Sequence, residues 1–397
     1  MKMLHIAIII IALIFLNSCQ SPEQKKREAI NQKIFPQVNK LMEERNYTTA
    51  IEVLRQAFGE DMLNPDIYPV LFKLLATIEQ VDFIAGAIRD IANALIMQKK
   101  LPKDATPEYL PLIKAIKENL NTLQPPQRIA LIRGLALYPS PWTLELIKTK
   151  TQDPDRDVRQ AAVTALASYA SEAVLPILKE ATNDSWWFVR AEAVSGLGRY
   201  RDESTTEALN QKIEVIDHLF NKLKDEDASV RYAAENGLLT LATEKTKERY
   251  IAYFKSSDPV EQRTAAICLA SFQVPEVTPY LISTLPNVQD KDAIARIIRA
   301  LGLTRDSRAL PLLRNLLTHS ENDVRGEAIV ALGLQGDRDS LGKLEMISRD
   351  SNESMNIRGA AQIAIRQIMQ PINQHPILFS PQATSPTIKA PPPRKAQ

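Results

Sequence analysis

From Pro107 to Gln370, small and apolar residues recur at fixed offsets from one position, and the recurrence predicts a row of similar helices. The segments QRIALIRGLALY, DVRQAAVTALASY, FVRAEAVSGLGRY, SVRYAAENGLLTL, EQRTAAICLASF, AIARIIRALGLT, DVRGEAIVALGLQ and NIRGAAQIAIRQI align on Arg128, Arg159, Arg190, Arg231, Gln262, Ile294, Arg325 and Arg358. Successive marks lie 31, 31, 41, 31, 32, 31 and 33 residues apart. Counted from each mark, position +7 is Leu135, Leu166, Leu197, Leu238, Leu269, Leu301, Leu332 or Ile365. Position +6 is small: Gly134, Ala165, Gly196, Gly237, Cys268, Ala300, Ala331 or Ala364. Position +3 is mostly Ala. These positions share one helical face, and small residues there let neighbouring helices approach closely. A second apolar helix precedes the marked one, as in EAVLPILKEATND, VTPYLISTL and RALPLLRNLLTHS. Pro176, Pro279 and Pro311 stand near its start, where proline is tolerated. Acidic turns such as DPDRD, SSDP and DEDAS separate the two helices and offer N-caps. The ten-residue excess between Arg190 and Arg231 predicts a longer helix around TTEALNQKIEVIDHLFNKL.

Outside this register the pattern changes. Residues 31–106 are helical but off-register: VNKLMEERNYTTAIEVLRQAF reads as helix–turn–helix with Asn46–Tyr47 at the turn. After Gln370, the Pro-rich stretch PINQHPILFSPQATSPTIKAPPPRKAQ has no helical period, which predicts a disordered, partly polyproline-II tail over 371–397. At the other end, Lys2 precedes an almost unbroken apolar run from Met3 to Leu16. A membrane-spanning helix needs roughly 20 apolar residues, so the run suits the apolar core of a signal peptide.

Three resemblances follow. Leu16-Asn17-Ser18-Cys19 resembles the lipobox of bacterial lipoproteins, with an apolar residue at −3, a small one at −1 and Cys at +1; Asn17 is an uncommon −2 residue. The resemblance implies removal of residues 1–18, lipid attachment at Cys19, a short tether over 19–30 and anchoring in the bacterial envelope. Gln20 in place of Asp implies the outer membrane, facing the periplasm. The marked segments over 107–370, about eight units, resemble HEAT repeats of the short kind also found in phycobilisome lyases. This implies an all-α, right-handed α-solenoid whose marked helices line the concave side. Gln262 and Ile294 depart from the family's Arg. The 31–106 region looks like tetratricopeptide-type α-hairpins, without that family's Trp-led signature.

Composition narrows the chemistry. Lys plus Arg number 49 and Asp plus Glu 47, so no general attraction to nucleic acid is expected. Two cysteines and four scattered histidines make no zinc-ligand spacing, and no P-loop, GxSxG or HExxH occurs. Neither a cofactor nor a metal nor a catalytic set is expected. The reading is of a scaffold that binds a protein partner; the alternative is an enzyme or lyase subunit on the same solenoid, which a polar cluster with catalytic geometry would reveal.

The recurring Arg, paired with a preceding acid as in Asp157–Arg159 and Asp323–Arg325, is expected to form a polar ladder between repeats. Cys268 fills the small-residue slot and is expected in the core. Trp186 and Trp187, beside Phe188, form the densest aromatic cluster, suited either to a partner or to covering the adjacent repeat. Positions +1, +2 and +5 of the marked helices are expected at the surface, Thr264 among them. The richest set there is Tyr232, Arg263, Arg296 and Arg299, across the repeats that lack the regular Arg; an acidic partner is its natural match.

Overall fold

The computed structural model describes residues 22–60, 66, 67, 70, 73, 74, 77, 120–136, 141–169 and 171–370. The stretch 1–18 expected to be a signal peptide, Cys19 and the segment 371–397 lie outside the described residues, as does most of 61–119. Among the described residues there are seventeen α-helices, short 3-10 turns and no strand. The chain divides into two compact units, one up to Gly196 and one from Leu197.

The first unit begins with α1 (Pro22–Glu43) and α2 (Tyr47–Glu60), packed as a hairpin. The turn between them passes through Arg45 in the left-handed region (φ 55°), and the Asn46 side chain accepts the Thr49 N–H at 3.3 Å. Helix α1 takes in residues 22–30, which the sequence pattern assigned to a tether. Proline is at home in a first helical turn, and the run of Gln, Lys, Arg, Glu and Ala after it has high helix propensity. The unit continues with α3 (Pro125–Ala136), α4 (Pro141–Thr149), α5 (Arg156–Ala167), α6 (Leu175–Ala181) and α7 (Trp187–Leu197).

The second unit holds α8 (Thr206–Lys222), α9 (Ala228–Leu241), α10 (Lys247–Phe254), α11 (Pro259–Leu269) and α12 (Val277–Thr284). It ends with α13 (Lys291–Leu303), α14 (Leu310–Leu316), α15 (Asn322–Gln335), α16 (Leu341–Arg349) and α17 (Met355–Met369). Every second helix from α3 to α17 carries one of the eight marks. In the first unit α3 packs on α5; in the second, α9, α11, α13, α15 and α17 pack in succession. The architecture is an α-solenoid of helix pairs. The extra ten residues lengthen α8, which runs 17 residues where α10, α12, α14 and α16 run seven to nine.

The periodic positions make the core. Position +3 is buried throughout, from Leu131 and Ala162 to Ala328 and Ala361, at 3 % exposure or less. The leucines at +7 are buried too, each worth about 1.5–3 kcal/mol relative to an exposed side chain, whereas Ile365 in the last repeat is half-buried. The small positions mark close approach: a Cβ on Gly302 would lie 2.6 Å from the Ala331 Cα, and one on Gly333 3.1 Å from the Ala364 Cα. The acidic turns cap as their composition suggests. Asp155, Asp227, Asp258 and Asp290 each accept a main-chain N–H in the first turn of α5, α9, α11 and α13.

Candidate partner-binding site

At Arg128, Arg159 and Arg325 the recurring arginine is a bracket between repeats, with a different acid from the one its sequence neighbourhood suggests. Arg159 donates through Nε and Nη2 to both carboxylate oxygens of Asp184, at 2.7 and 3.0 Å, and through Nη1 to the Asp153 carbonyl at 2.9 Å. Arg128 donates to Asp153 at 2.8 Å, and Arg325 to Glu353 at 2.6 Å. The acid thus sits 25 or 28 residues later, in the next turn, while Asp157 lies 3.9 Å from Arg156. A helix start points its early side chains out to solvent, whereas the following turn lies beside the guanidinium. Nη1 also ties down the turn ahead of its own helix: Arg190 donates to the Asp184 carbonyl at 3.0 Å and Arg231 to the Asp225 carbonyl at 2.8 Å. Burial pushes the Asp184 carboxyl up, but Arg159 and the Trp186 N–H outweigh it and hold the group below its ordinary value.

At Gln262 and Ile294 this bracket is missing, and a different polar cluster stands there. Arg296 on α13 forms an ion pair with Glu235 on α9, reaching past the intervening α11, and its guanidinium lies 4.7 Å above the Tyr232 ring. Arg263 on α11 is half-buried near the same carboxylate and makes no direct ion pair among the described residues. Burial pushes the Glu235 carboxyl above its ordinary value, partly offset by Arg296 and Arg263. The structure therefore brings together Tyr232, Arg263 and Arg296 from three successive marked helices. It adds Glu235, which the sequence reading missed. The signal was present: Glu235 is at +4, which in six of the other seven repeats holds the fully buried Ile132, Val163, Val194, Ala266, Ile298 and Ile329. Asp290 and Asp292 also act on the Glu235 carboxylate, so the cluster sets two guanidinium groups among three acids.

Arg299 does not join it. Its side chain is half exposed and forks onto Glu327 of α15, at 2.9 and 2.5 Å. The same link from +5 to the next repeat's +2 joins Thr164 to Glu192 at 3.2 Å. Position +2 is therefore covered rather than exposed: Ala161, Ala233 and Thr264 are buried, Thr264 at 4 % exposure, contrary to the surface position expected of it. Cys268 is buried at +6, and burial pushes its thiol far up, so it is held as a neutral thiol. In the first unit, Trp186 is half-buried under the Arg156 guanidinium of the adjacent repeat, 4.6 Å from its ring centroid. Phe188 is buried between the two indoles, at centroid distances of 5.5 Å to Trp186 and 5.2 Å to Trp187. Of the candidate residues, none lines the open cleft of about 870 Å³ walled by Leu317, His319, Arg325, Met346 and Asp350. Among the described residues no group of three or more His, Cys, Asp or Glu side chains could hold a metal ion, and no helix is long and apolar enough to cross a membrane.

The family model for HEAT repeats matches residues 112–198 and 284–366. No curated protein matches. Among solved structures, YibA of Escherichia coli is 20% identical with a TM-score of 0.41, covering 66% of this chain and 98% of its own. The complex of CpcE and CpcF of phycocyanin lyase from Nostoc sp. PCC7120 is 20% identical with a TM-score of 0.37, covering 57% of this chain and 86% of that one. The archaeal HEAT-like repeats protein from Thermococcus onnurineus NA1 is 17% identical with a TM-score of 0.35, covering 64% and 96%. The helix pairs within 112–198 and 284–366 are HEAT-like repeats.

Proposed function

We propose that this chain is a lipid-anchored scaffold of the bacterial envelope, held in the outer membrane and facing the periplasm, that binds a protein partner on the marked helices of its HEAT-like repeats. Repeats of this kind suit protein binding because neighbouring units present side chains to one extended ligand. The observation that carries the binding surface is the cluster of Tyr232, Arg263 and Arg296 around Glu235. It stands where the Arg bracket lapses, at Gln262 and Ile294, and it gathers two guanidinium groups and an aromatic ring on a half-buried surface. An acidic partner segment complements it, with attraction falling as salt rises, over a Debye length of about 10 Å at 0.1 M. The aromatic Trp186 and Trp187 are a second contact candidate.

The anchoring half of the proposal rests on Leu16-Asn17-Ser18-Cys19 at the end of an apolar run. The cysteine sulfur is the side chain best suited to take a thioether-linked lipid. Two or three acyl chains, at about 0.8 kcal/mol per buried methylene, hold a protein stably at a bilayer. Two experiments test the two halves. Cys19→Ala should leave an uncleaved precursor without palmitate label; undiminished labelling sinks the anchor. A partner recovered from detergent-solubilised membranes should bind the combined Arg263→Glu, Arg296→Glu and Arg299→Glu variant at least tenfold more weakly (about 1.4 kcal/mol), with circular dichroism confirming the fold. Equal binding by the folded variant would leave the cluster as ordinary surface.

A further inference from the structure

A row of repeats stays soluble when the outer face of its terminal unit is polar. The outer face of the last repeat is not. Among the described residues the exposed large hydrophobic side chains are Met346, Met355, Ile363 and Met369. Met346 stands on the wall of the cleft around Leu317 and His319. The other three all belong to α17, at 78, 50 and 69 % exposure. At about 100° per residue they share an arc of about 120° with Gly359, Gln362 and Arg366. Gly359 occupies the slot that Gly326 holds on α15. A Cβ on Gly326 would meet the Ile357 side chain at 3.2 Å, whereas one on Gly359 would meet nothing within 4 Å. Glycine weakens a helix interior, so an open notch there is unexplained by α17 alone.

The arc is complementary to itself when reversed. Met355 lies seven residues before Gln362 and Met369 seven after it; Gly359 lies three before it and Arg366 four after it. Two copies of α17 laid antiparallel, across a two-fold axis near Gln362 and Ile363, therefore set Met355 beside Met369 of the second copy at both ends. Arg366 falls over the notch at Gly359 of the second copy, a long side chain against a missing one. Ile363 meets its own counterpart beside the axis. The polar residues are answered as well. At inner junctions +4 and +8 are apolar or small, as at Ile298, Ile329, Gly302 and Gly333, so a further helix of that kind would bury Gln362 and Arg366 without partners. In the antiparallel pair Arg366 lies within one turn of Gln362 of the second copy, whose amide oxygen can accept from the guanidinium, and symmetry makes that bond twice. The three apolar side chains present about 400 Å², half of the roughly 800 Å² that each partner gives to a standard interface. Gln362 and Arg366, both exposed, add to it. A helix pair of this size makes a dimer at the small end of specific interfaces, one that forms as concentration rises.

We propose that α17 is the contact surface of a homodimer, in which two copies of this chain pair α17 against α17, antiparallel, with Arg366 of each seated over Gly359 of the other.

Sedimentation equilibrium of the full chain, in density-matched detergent and from about 1 to 100 µM, tests this. The mass is expected to rise from one chain to two. Gly359→Leu enters open space and improves helix propensity, so it keeps the fold, as circular dichroism would show. It fills the notch that Arg366 needs and should weaken the pairing at least tenfold. Ile363→Glu, at a half-exposed position, sets two carboxylates together beside the axis and should leave the chain monomeric. A chain carrying Ile363→Cys should oxidise to a linked dimer about tenfold faster than one carrying Glu345→Cys, which lies off the arc on α16. The proposal is overturned if the full chain stays monomeric throughout, if its mass climbs past two chains, or if Gly359→Leu pairs as tightly as the parent. Linkage at Glu345→Cys as fast as at Ile363→Cys overturns it too, since the contact would then lie elsewhere. The outcome is independent of the lipid anchor and of the cluster at Arg296.

Discussion

Replacing Asp184 with Asn is expected to lower stability by about 3 kcal/mol, because it strands a guanidinium that the fold has largely withdrawn from water. Arg159 and Asp184 side chains are 15% and 9% exposed, and two charge-assisted bonds at 2.7 and 3.0 Å join them. A pair at the open surface would be worth about 0–1 kcal/mol. A buried pair that loses one member costs about 3–5 kcal/mol, and the residual exposure puts this one at the lower end. Asn keeps the size and can still accept the Trp186 N–H, which Asp184 receives at 2.8 Å, so the loss isolates the charge. The combined Arg159→Met and Asp184→Leu chain removes both members of this pair and should regain most of the stability. Urea denaturation reads these changes as midpoint shifts, and exchange of the α5 and α7 amides localises them, since repeats can open separately. The pH dependence has a definite sign. The folded Asp184 carboxyl titrates below its ordinary value of 3.8, so the unfolded chain binds more protons between the two values. The contribution is therefore full above pH 3.8 and is lost as pH falls through the lower folded value; the Asn variant should lack that acid limb. The reasoning fails if Asp184→Asn costs less than about 0.5 kcal/mol, the scale of a surface substitution, or if the double variant is as weak as the single one.

Three other outcomes follow from the same geometry. Glu203→Gln should cost about 3 kcal/mol in urea melts by stranding Lys212, which is 1 % exposed and bonded to Glu203 at 2.6 Å, while Lys212→Met should stay within about 1 kcal/mol of the parent. Gly302→Ala should destabilise by about 1–3 kcal/mol despite alanine's better helix propensity, because its Cβ would fall 2.6 Å from the Ala331 Cα; a more stable variant would contradict the close packing of α13 on α15. Cys268→Ala should fold with a loss of about 1 kcal/mol, since Ala fills that slot in four other repeats. The native Cys268 thiol should resist iodoacetamide at pH 8 until urea is added, as mass spectrometry would show.

The repeats were legible because their packing demands a small residue at +6 and leucine or isoleucine at +7, and a demand repeated eight times is visible in one chain. Gln262 and Ile294 were legible as breaks for the same reason. The acids paired with Arg128, Arg159 and Arg325 were not, because Asp153, Asp184 and Glu353 lie a whole helix pair away, and only the stacking of turns brings them near. The surface assignment at +2 failed at Thr264 because a single helix wheel does not include the +5 side chain of its neighbour. The cluster at Arg296 was half legible: the basic and aromatic members stood out, but Glu235 hid among ordinary charged residues until its column was compared across repeats. Arg299 was grouped with them by sequence proximity, and Glu327 takes it instead.

The arginine bracket also bears on how such a chain changes in inheritance. Arg128 finds its acid 25 residues on, at Asp153, and Arg159 finds an equivalent one 25 residues on, at Asp184. An in-frame loss of residues 153–183, the 31-residue period, would set Asp184 at that same separation from Arg128. The contact made across the scar would be of a kind the protein already uses. Gain of one period would be equally conservative. Recombination between similar units can therefore alter the length of the row of repeats, in whole steps, without a new interface having to arise.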